Sequence, residues 1–263
     1  MIYSDIYLGD NKFPLLAFAI HNGNYMPPEL LQNCGIDADT RLREEDPYTN
    51  GFAECFPNRI IVQTSRFAVD LNRPPEKAVY QKPEDAWGLQ VRKMPIADNL
   101  YAKLLKAYAD WYQIIRYQIE RLLKIHPTLI ILDLHSYNHR RGGPDVAPDP
   151  QNQNPDLILG RNNLPESVYP IVENLRLLLD GNPFQNIKLD CRCDIKFSGG
   201  HFSRWVNQTF GNKVLCLAIE FKKIFMDEWT GELNLPAYFQ LKEIFQTAVL
   251  KWMSEITSLE KKG

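Results

Sequence analysis

The sequence predicts an α/β fold in which helices cover a central, mixed but mostly parallel sheet. Three observations predict it: an apolar run at 59–63, a long helical pattern that starts at Asp98, and a second apolar run at 129–134. A strand, a helix and a strand in this order form a crossover, which joins parallel strands. No repeat, low-complexity segment or clear linker divides the chain, so we expect residues 1–263 to form a single domain.

The run at 129–134 predicts a buried strand because it is mostly apolar, contains isoleucines and follows the breaker Pro127. His135 comes directly after this run, and turn-forming residues continue up to Pro144. Open α/β sheets bind ligands outside the carboxyl ends of their strands. We therefore expect His135 to be a metal ligand.

An earlier stretch repeats this pattern, because an apolar run at 15–20 ends in His21 and is followed by turn residues. Prolines 27 and 28 then indicate the start of a helix. The other predicted elements, in chain order, are a surface loop over 74–97, a helix from Asp98 to before Pro127, a loop over 142–165, a helix from 165–166 to Gly181, a loop over 194–212, a strand over 214–219 that ends in Glu220, and a helix over 235–259.

Composition and charge narrow the function classes. The chain has 263 residues, 44% of them apolar and 24% charged, and a net charge of -2, which is typical of a soluble globular enzyme. This balance does not favour a nucleic-acid or membrane surface, and no apolar run approaches the roughly 20 residues that span a bilayer. Five cysteines, an odd count, do not indicate a disulfide framework. With no signal-peptide pattern at residues 1–5, we expect a cytoplasmic protein.

His21 and His135 are candidate metal ligands because neutral imidazole is the commonest protein ligand near pH 7. Zinc in hydrolases usually takes three protein ligands and keeps a position open for water. The acidic residues at 44–46 offer a third ligand, and Asp46 is preferred because Pro47 keeps it out of a helix. A solvated acidic turn is the alternative interpretation of these residues.

Three further side chains are candidates for chemistry. Arg73 suits a substrate carboxylate because guanidinium binds such groups in a bidentate manner, although a surface ion pair is the commoner fate of an arginine. Glu220 is a candidate general base at the end of an apolar strand. Asp133 would face the same side of its strand as His135 and could orient the imidazole. The chain has no Walker A, GxSxG or HExxH motif, which disfavours nucleotide hydrolysis and serine esterase chemistry.

Several short blocks, taken in order, resemble the N-formylglutamate amidohydrolase family, which is related to zinc carboxypeptidases and aspartoacylases. The resemblance extends from His21 to about Gly231. The blocks are His21-Asn22-Gly23 followed by Pro27, Glu45-Asp46-Pro47-Tyr48, Val69-Asp70-Leu71-Asn72-Arg73, Asp133-Leu134-His135-Ser136, Asn154-Pro155-Asp156-Leu157-Ile158-Leu159-Gly160, Ser198-Gly199-Gly200 and Ala218-Ile219-Glu220-Phe221.

The resemblance implies a zinc-carboxypeptidase-like (phosphorylase/hydrolase-like) fold with one zinc ion. It implies that His21 and His135 are zinc ligands and that Asp46 is the third, with Glu45 as the alternative. Carboxypeptidase-like relatives place a glutamate three residues after the first histidine, and this chain has Asn24 there. The carboxylate ligand must therefore come from another part of the chain.

The resemblance also implies roles toward the substrate. Asn72 and Arg73 would hold a substrate carboxylate, Arg66 is a further candidate for substrate binding, and Glu220 would serve as base and then acid. The expected function is zinc-dependent hydrolysis of an amide bond in a small N-acyl amino acid that carries a carboxylate. The alternatives are a zinc carboxypeptidase that acts on peptides and a non-catalytic ligand-binding or regulatory protein.

Two basic clusters depart from the family pattern. They are His139-Arg140-Arg141 and the pair Lys222-Lys223. Both suggest a more anionic substrate, or a contact with a phosphate or a partner. We expect Arg140 or Arg141 to hold a second anionic group of a small-molecule substrate.

Overall fold

The structure is a computed structural model that describes residues 1–260, with side chains described up to residue 256. Its strands are β1 (Ser4–Leu8), β2 (Leu15–Ala19), β3 (Asn58–Val62), β4 (Leu129–Tyr137), β5 (Leu157–Gly160), β6 (Pro183–Phe184), β7 (Ile187–Lys188), β8 (Cys191–Cys193) and β9 (Val214–Lys222). Its α-helices are α1 (Pro28–Gln32), α2 (Ala38–Glu44), α3 (Thr49–Ala53), α4 (Asp98–Leu123), α5 (Tyr169–Leu179), α6 (His201–Phe210) and α7 (Leu235–Glu260).

Within residues 1–260, seven strands form one sheet in the order β1-β3-β2-β4-β9-β5-β8. The pairs β3–β2, β2–β4, β4–β9 and β5–β8 are parallel. The pairs β1–β3 and β9–β5 are antiparallel. The sheet is therefore mixed and mostly parallel, which confirms the fold class that the sequence predicts.

The central strands are apolar along their whole length because helices cover both faces of the sheet. In β2, Leu15 and Ala17 pack in the core under α3, α5 and α7, whereas Leu16 and Phe18 pack in the core under α4 and α6. All four side chains are fully buried. This alternation is the period of two that strand geometry imposes, and it fixes the register of the strand between the two cores.

Helices α4 and α7 confirm the two long helical patterns. Each spans 26 residues, and α4 turns Leu104, Tyr108, Trp111 and Ile115 inward at steps of three or four residues. The breaker Pro127 follows the end of α4 and separates it from β4. No helix within the described part of the chain is long and apolar enough to cross a membrane.

The structure corrects three sequence-based boundaries. The prediction of a loop over 194–212 is wrong because α6 occupies most of it. Phe202 and Val206, four residues apart, are both buried under the sheet, so tertiary packing stabilises a helix among polar residues. The segment 142–165 contains β5, which was predicted as loop. Strand β4 continues to Tyr137, so His135 lies inside the strand and not after it.

The sheet places the candidate residues next to one another. Strands β2, β4 and β9 are adjacent and parallel, and their carboxyl ends therefore share one edge of the sheet. His21 lies two residues beyond the end of β2, and His135 is paired in register with Glu220 of β9. Three residues that are far apart in the chain thus meet at one edge.

A matched pair of phenylalanines tests the core of this fold. Phe52 is fully buried and stacks on Phe221 with a centroid separation of 4.1 Å, whereas Phe239 is 60% exposed. We expect Phe52→Ala to lower the free energy of unfolding by about 3–5 kcal/mol, because it removes buried area and leaves a cavity. Phe239→Ala should change it little. Urea unfolding of both variants measures the difference, and equal losses would contradict this packing.

Candidate active site

Two histidines and one aspartate form a buried cluster at the carboxyl edge of the sheet. His21 and His135 are each 2% exposed and Asp46 is 3% exposed. One ligand atom from each residue lies within 4.8 Å of the others, and the two imidazole centroids are 4.9 Å apart. Within the described residues, His21, Asp46 and His135 are the candidate metal ligands that the structure brings together as a group.

Both imidazoles direct the same ring nitrogen toward the aspartate. His135 Nδ1 lies 3.0 Å from Asp46 Oδ2, and His21 Nδ1 lies 3.4 Å from the same oxygen. His21 Nδ1 is buried and has no hydrogen-bond partner among the described residues. Two nitrogen atoms and one carboxylate oxygen that converge in this way form a donor set of the kind that catalytic zinc sites use.

The other nitrogen of each ring lies against a fully buried carboxylate. His21 Nε2 is 2.7 Å from Asp70 Oδ1, and His135 Nε2 is 2.9 Å from Asp133 Oδ1. Metal-binding histidines typically direct their second ring nitrogen at such an acceptor, which fixes the tautomer and makes the ligand nitrogen more basic. The residues present therefore fit a divalent cation held by Nδ1 of both rings.

The charges in the cluster favour a cation at this position. Burial alone would raise the pKa of Asp46, but the two imidazoles hold it well below its usual range. Burial alone would lower the pKa of His135, but Asp133 and Asp46 raise it well above the ordinary value. The buried carboxylates thus require positive charge nearby, which a proton or a metal ion supplies.

The turn that carries Asp46 is fixed by its backbone. The Asp46 N–H donates to the His21 carbonyl at 3.0 Å, and the Thr49 hydroxyl donates to the Asp46 carbonyl at 2.6 Å. Helix α2 ends at Glu44, and the residue after it is extended, which leaves Asp46 outside the helix. These contacts direct Asp46, which precedes a proline, at both rings.

The neighbouring acidic residues point elsewhere. The Glu45 carboxylate accepts a hydrogen bond from the Ser65 hydroxyl, and burial raises the pKa of Glu45 to about 7. Glu44 lies 2.9 Å from Arg43 and 3.3 Å from Arg141. Of the three acidic residues at 44–46, Asp46 is the one that the structure brings to the imidazoles.

Lys223 anchors the chain just before Asp46. It is 1% exposed, and its ammonium donates to the carbonyls of Arg43 and Glu45 at 2.6 and 2.8 Å. Burial lowers the pKa of Lys223 to about 8. Because Lys223 follows β9, it connects the Asp46 turn to the strand that carries Glu220. The sequence marks this lysine only as one of a basic pair.

The carboxylate of Glu220 faces the cleft. No described residue makes a hydrogen bond or an ion pair with this carboxylate. Glu220 of β9 is the register partner of His135 on the neighbouring strand β4. Burial raises the pKa of Glu220 to about 8, and His135 partly opposes that increase. A partly buried carboxylate with a pKa near neutrality can both accept and donate a proton.

Asp70 organises the segment that carries the arginines. It is fully buried and accepts hydrogen bonds from His21 Nε2, the Arg66 guanidinium and the Tyr80 hydroxyl. Arg66 is therefore paired at 3.0 Å. Arg73 Nε is 3.9 Å from the same carboxylate, and its side chain is 42% exposed, so its guanidinium remains available at the wall of the cleft.

Asn72 has a fixed orientation beside the cluster. Its Oδ1 accepts the Phe202 N–H at 3.0 Å, and its Nδ2 lies 3.4 Å from His135 Nε2. A Cβ atom at Gly200 would come within 2.2 Å of the Asn72 amide, so only glycine permits this approach. Gly200 therefore seats Asn72 against α6.

The two arginines after β4 diverge. Arg141 lines the cleft, where Glu44 already neutralises it. Arg140 lines a neighbouring depression outside the cleft, and its guanidinium is 3.6 Å from Asp227. The buried Glu228 holds this segment by accepting the backbone N–H groups of His139 and Arg140 at 2.7 and 3.1 Å. The structure thus brings Arg141, but not Arg140, to the candidate site.

These groups line one cleft of about 670 Å³. The sequence-predicted residues that line it are His21, Asp46, Arg66, Asn72, Arg73, His135, Arg141 and Glu220. Lining residues that sequence reasoning did not assign to the site include Arg43, Trp87, Lys196, Phe197 and Lys223. Phe197 stands next to the Ser198-Gly199-Gly200 block, which could have indicated it; for Trp87 and Lys196 the sequence offers no local signal.

Comparisons with known proteins agree with this architecture. A family profile described as N-formylglutamate amidohydrolase matches residues 13–226. A crystal structure of N-formylglutamate amidohydrolase from Ralstonia eutropha JMP134 is similar, with 15% identity, a TM-score of 0.73 and 98% of each chain covered. The crystal structure of gene product Atu2144 from Agrobacterium tumefaciens has 16% identity and a TM-score of 0.60, with 94% of this chain and 95% of that chain covered. At these identities the two structures show a shared fold. No curated protein matches.

Replacing one buried and one exposed aspartate tests the network around Asp70. We expect metal-free Asp70→Asn to lose about 3–5 kcal/mol of unfolding free energy, because the Arg66 guanidinium loses its buried partner. Asp110→Asn, in an exposed pair with Lys106, should change little. The pKa of Asp70 is held well below its usual range, so its contribution is present above about pH 4 and is lost as the pH falls further.

Chemical unfolding at pH 7 and at acidic pH measures both variants. Equal unfolding free energies for Asp70→Asn and the unmodified chain at pH 7 would show that Asp70 is not the centre of this network. A difference that grows as the pH falls would contradict the assigned direction of the pKa change.

Proposed function

The chain belongs to the N-formylglutamate amidohydrolase family, and on that premise we propose that it is a zinc-dependent hydrolase that cleaves the amide bond of small N-acyl amino acids. One observation carries the proposal: Nδ1 of His21 and of His135 converge on the Asp46 carboxylate, while a buried carboxylate backs each ring. His21 Nδ1 is buried and has no hydrogen-bond partner among the described residues. Buried polar atoms normally have a partner, and a metal ion in the cluster would supply one.

His21, Asp46 and His135 would hold the zinc ion. When bound, such an ion supplies concentrated positive charge, which acidifies water and polarises a carbonyl group. Asp70 would keep the His21 ring in the tautomer that presents Nδ1 as an acceptor, and the Asp133 carboxylate, 2.9 Å from His135 Nε2, would place negative charge behind the second ring. The cluster borders the cleft, so a substrate can reach it.

Arg73 and Asn72 would bind the substrate carboxylate. The Arg73 guanidinium is exposed to the cleft and its nearest carboxylate is 3.9 Å away, which leaves its donors available for a bidentate contact. Asn72 is held by the Phe202 N–H and cannot rotate freely. Fixing the carboxylate in this way positions the amide bond next to the cluster and lowers the entropic part of the barrier.

Glu220 would carry the proton. Its carboxylate accepts a proton from the attacking water as the new carbon–oxygen bond forms, and it then donates that proton to the leaving nitrogen as the carbon–nitrogen bond breaks. Two observations support this role: no described residue makes a hydrogen bond or an ion pair with the Glu220 carboxylate, and burial raises its pKa to about 8. The products are a free amine and a carboxylic acid.

The size and lining of the cleft support a small, anionic substrate. A cleft of about 670 Å³ is within the range for small-molecule sites. Its residues come from segments after β2, β3 and β8 as well as from β4 and β9, so the site needs both halves of the sheet. We therefore propose that residues 1–263 act as one catalytic domain.

Metal analysis tests the ligand assignment. We expect the unmodified protein, after zinc loading and dialysis, to retain one zinc ion per chain. Changes to residues that only support a metal ligand typically weaken metal binding ~10–100-fold. His135→Ala and Asp46→Asn should weaken zinc binding by more than this, because each change affects a proposed ligand itself. Zinc content by mass spectrometry and competition with a chelator measure it.

His126→Ala is the matched control, because His126 contacts the Asn11 carbonyl far from the cluster. It should retain zinc like the unmodified protein. If His135→Ala binds as much zinc as the control, the metal lies elsewhere and the assignment is wrong.

An acyl-amino-acid panel tests the activity itself. We expect zinc-loaded protein to hydrolyse N-formyl and N-acetyl amino acids, with turnover lost in a chelator and restored by zinc. Glu220→Gln should lower kcat by about 10²–10⁴-fold while the zinc content is unchanged, because it removes a proton carrier and not a ligand. Glu243→Gln, at an exposed position on α7, is the control.

The panel also separates the alternatives. Cleavage of peptides in place of acyl amino acids would indicate a carboxypeptidase. Ligand-induced thermal stabilisation without turnover would indicate a binding protein, and either result would refute the proposed reaction.

A further inference from the structure

The segment between β8 and α6 forms one wall of the cleft and has an unusual backbone. Asp194 and Lys196 have φ angles of 58° and 64°, in the left-handed region. Aspartate adopts this region occasionally, but a lysine there is uncommon, and such residues persist only where the surroundings hold them. The conformation places Lys196 at the cleft, where it is a lining residue.

Contacts on the other side of this segment hold the conformation. Arg161 donates from its backbone N–H to Asp194 Oδ1 and from Nε to Asp194 Oδ2, both at 2.8 Å. The Phe197 N–H donates to the Ile195 carbonyl at 2.7 Å. These contacts fix the backbone on either side of Lys196.

The Lys196 ammonium contacts no carboxylate among the described residues at ion-pair distance. It donates to the Asn154 amide oxygen at 2.6 Å and lies 4.9 Å from the centroid of the Tyr137 ring. Burial and then the charge of Arg141 lower the pKa of Lys196. The direct contacts of the ammonium are thus neutral groups, and the more distant carboxylates of Asp149, Glu220 and Glu228 only partly oppose the decrease in its pKa.

The other cations that line the cleft are mostly neutralised or buried. Arg43, Arg66 and Arg141 lie 2.9, 3.0 and 3.3 Å from carboxylate oxygens. Lys223 is buried against two carbonyl groups. Of the described cations in the cleft, Lys196 has no carboxylate at ion-pair distance, and Arg73 has one only at 3.9 Å, on Asp70.

These two cations come from opposite halves of the sheet. Arg73 follows β3 and Lys196 follows β8, and the strand order places β2, β4 and β9 between β3 and β8. The residues on or after those three strands are His21, His135 and Glu220. Arg73 and Lys196 thus follow strands that lie on opposite sides of the three strands associated with His21, His135 and Glu220.

We propose that Lys196 is a specificity-determining residue whose ammonium binds a second carboxylate, the one on the side chain of an acidic N-acyl amino acid, while Arg73 binds the α-carboxylate. This inference rests on the proposed function and assigns the side-chain selectivity of the same site. A substrate that spans the cleft in this way presents its amide bond to the metal cluster and Glu220. It also relieves the repulsion between Lys196 and Arg141.

The experiment compares N-formylglutamate with N-formylglutamine, which has the same shape without the side-chain charge. In Lys196→Met we expect kcat/KM for N-formylglutamate to fall about tenfold or more, because a charged hydrogen bond is lost, while the value for N-formylglutamine stays within about twofold. Lys196→Arg should retain most of the preference. Lys188→Met, at an exposed position on β7, is the control for surface charge.

Binding provides a second readout that does not depend on turnover. Isothermal titration of zinc-loaded Glu220→Gln protein, with and without Lys196→Met, should show the same selective loss of affinity for N-formylglutamate. If Lys196→Met leaves the ratio of the two ligands unchanged, or lowers both equally, the inference is overturned and the proposed function stands. If the unmodified protein neither binds nor hydrolyses either compound, the proposed function fails as well.

Discussion

The structure depends on one arrangement: two buried imidazoles that direct Nδ1 at a single aspartate while a buried carboxylate supports each ring. Asp70 holds His21 at 2.7 Å, and Asp133 lies 2.9 Å from His135. With Asp46 this places three carboxylates around two rings in a region that is almost closed to solvent. Such a concentration of negative charge is costly to bury unless positive charge accompanies it, and this requirement explains why the cluster fits a divalent cation.

The surrounding fold supplies what this arrangement needs. Three adjacent parallel strands end at the same edge, so residues from distant parts of the chain meet without long loops. The turn that carries Asp46 is fixed from two directions, by its backbone bond to His21 and by the buried ammonium of Lys223. Asp70 in turn couples the cluster to Arg66 and the substrate wall. The contacts that stabilise this part of the fold are therefore the same ones that position the candidate site.

Several basic side chains line the cleft, and not all of them are paired with a carboxylate of the chain. Glu44, Asp70 and Glu228 neutralise the arginines that shape its walls. The charges that remain least neutralised are those of Lys196, which has no carboxylate at ion-pair distance, and Arg73, whose nearest carboxylate is 3.9 Å away. Local pairing therefore decides which basic residues keep an available charge, and the number of basic residues in the sequence does not. Arg140 illustrates this, because it adjoins Arg141 in the chain yet turns to Asp227 outside the cleft.

The sequence by itself determined the sheet strands 15–20, 59–63, 129–134 and 214–219 and the two long helices, because these follow from local apolar periodicity and breakers. It also placed the histidines and Glu220 near the carboxyl ends of their strands, although β4 and β9 continue two residues beyond His135 and Glu220. It also favoured Asp46 through the proline after it. Only the tertiary structure decided that Glu45 turns to Ser65, that α6 forms among polar residues, and that Lys196 reaches the cleft. Those outcomes depend on contacts between segments far apart in the chain, and local periodicity carries no information about such contacts.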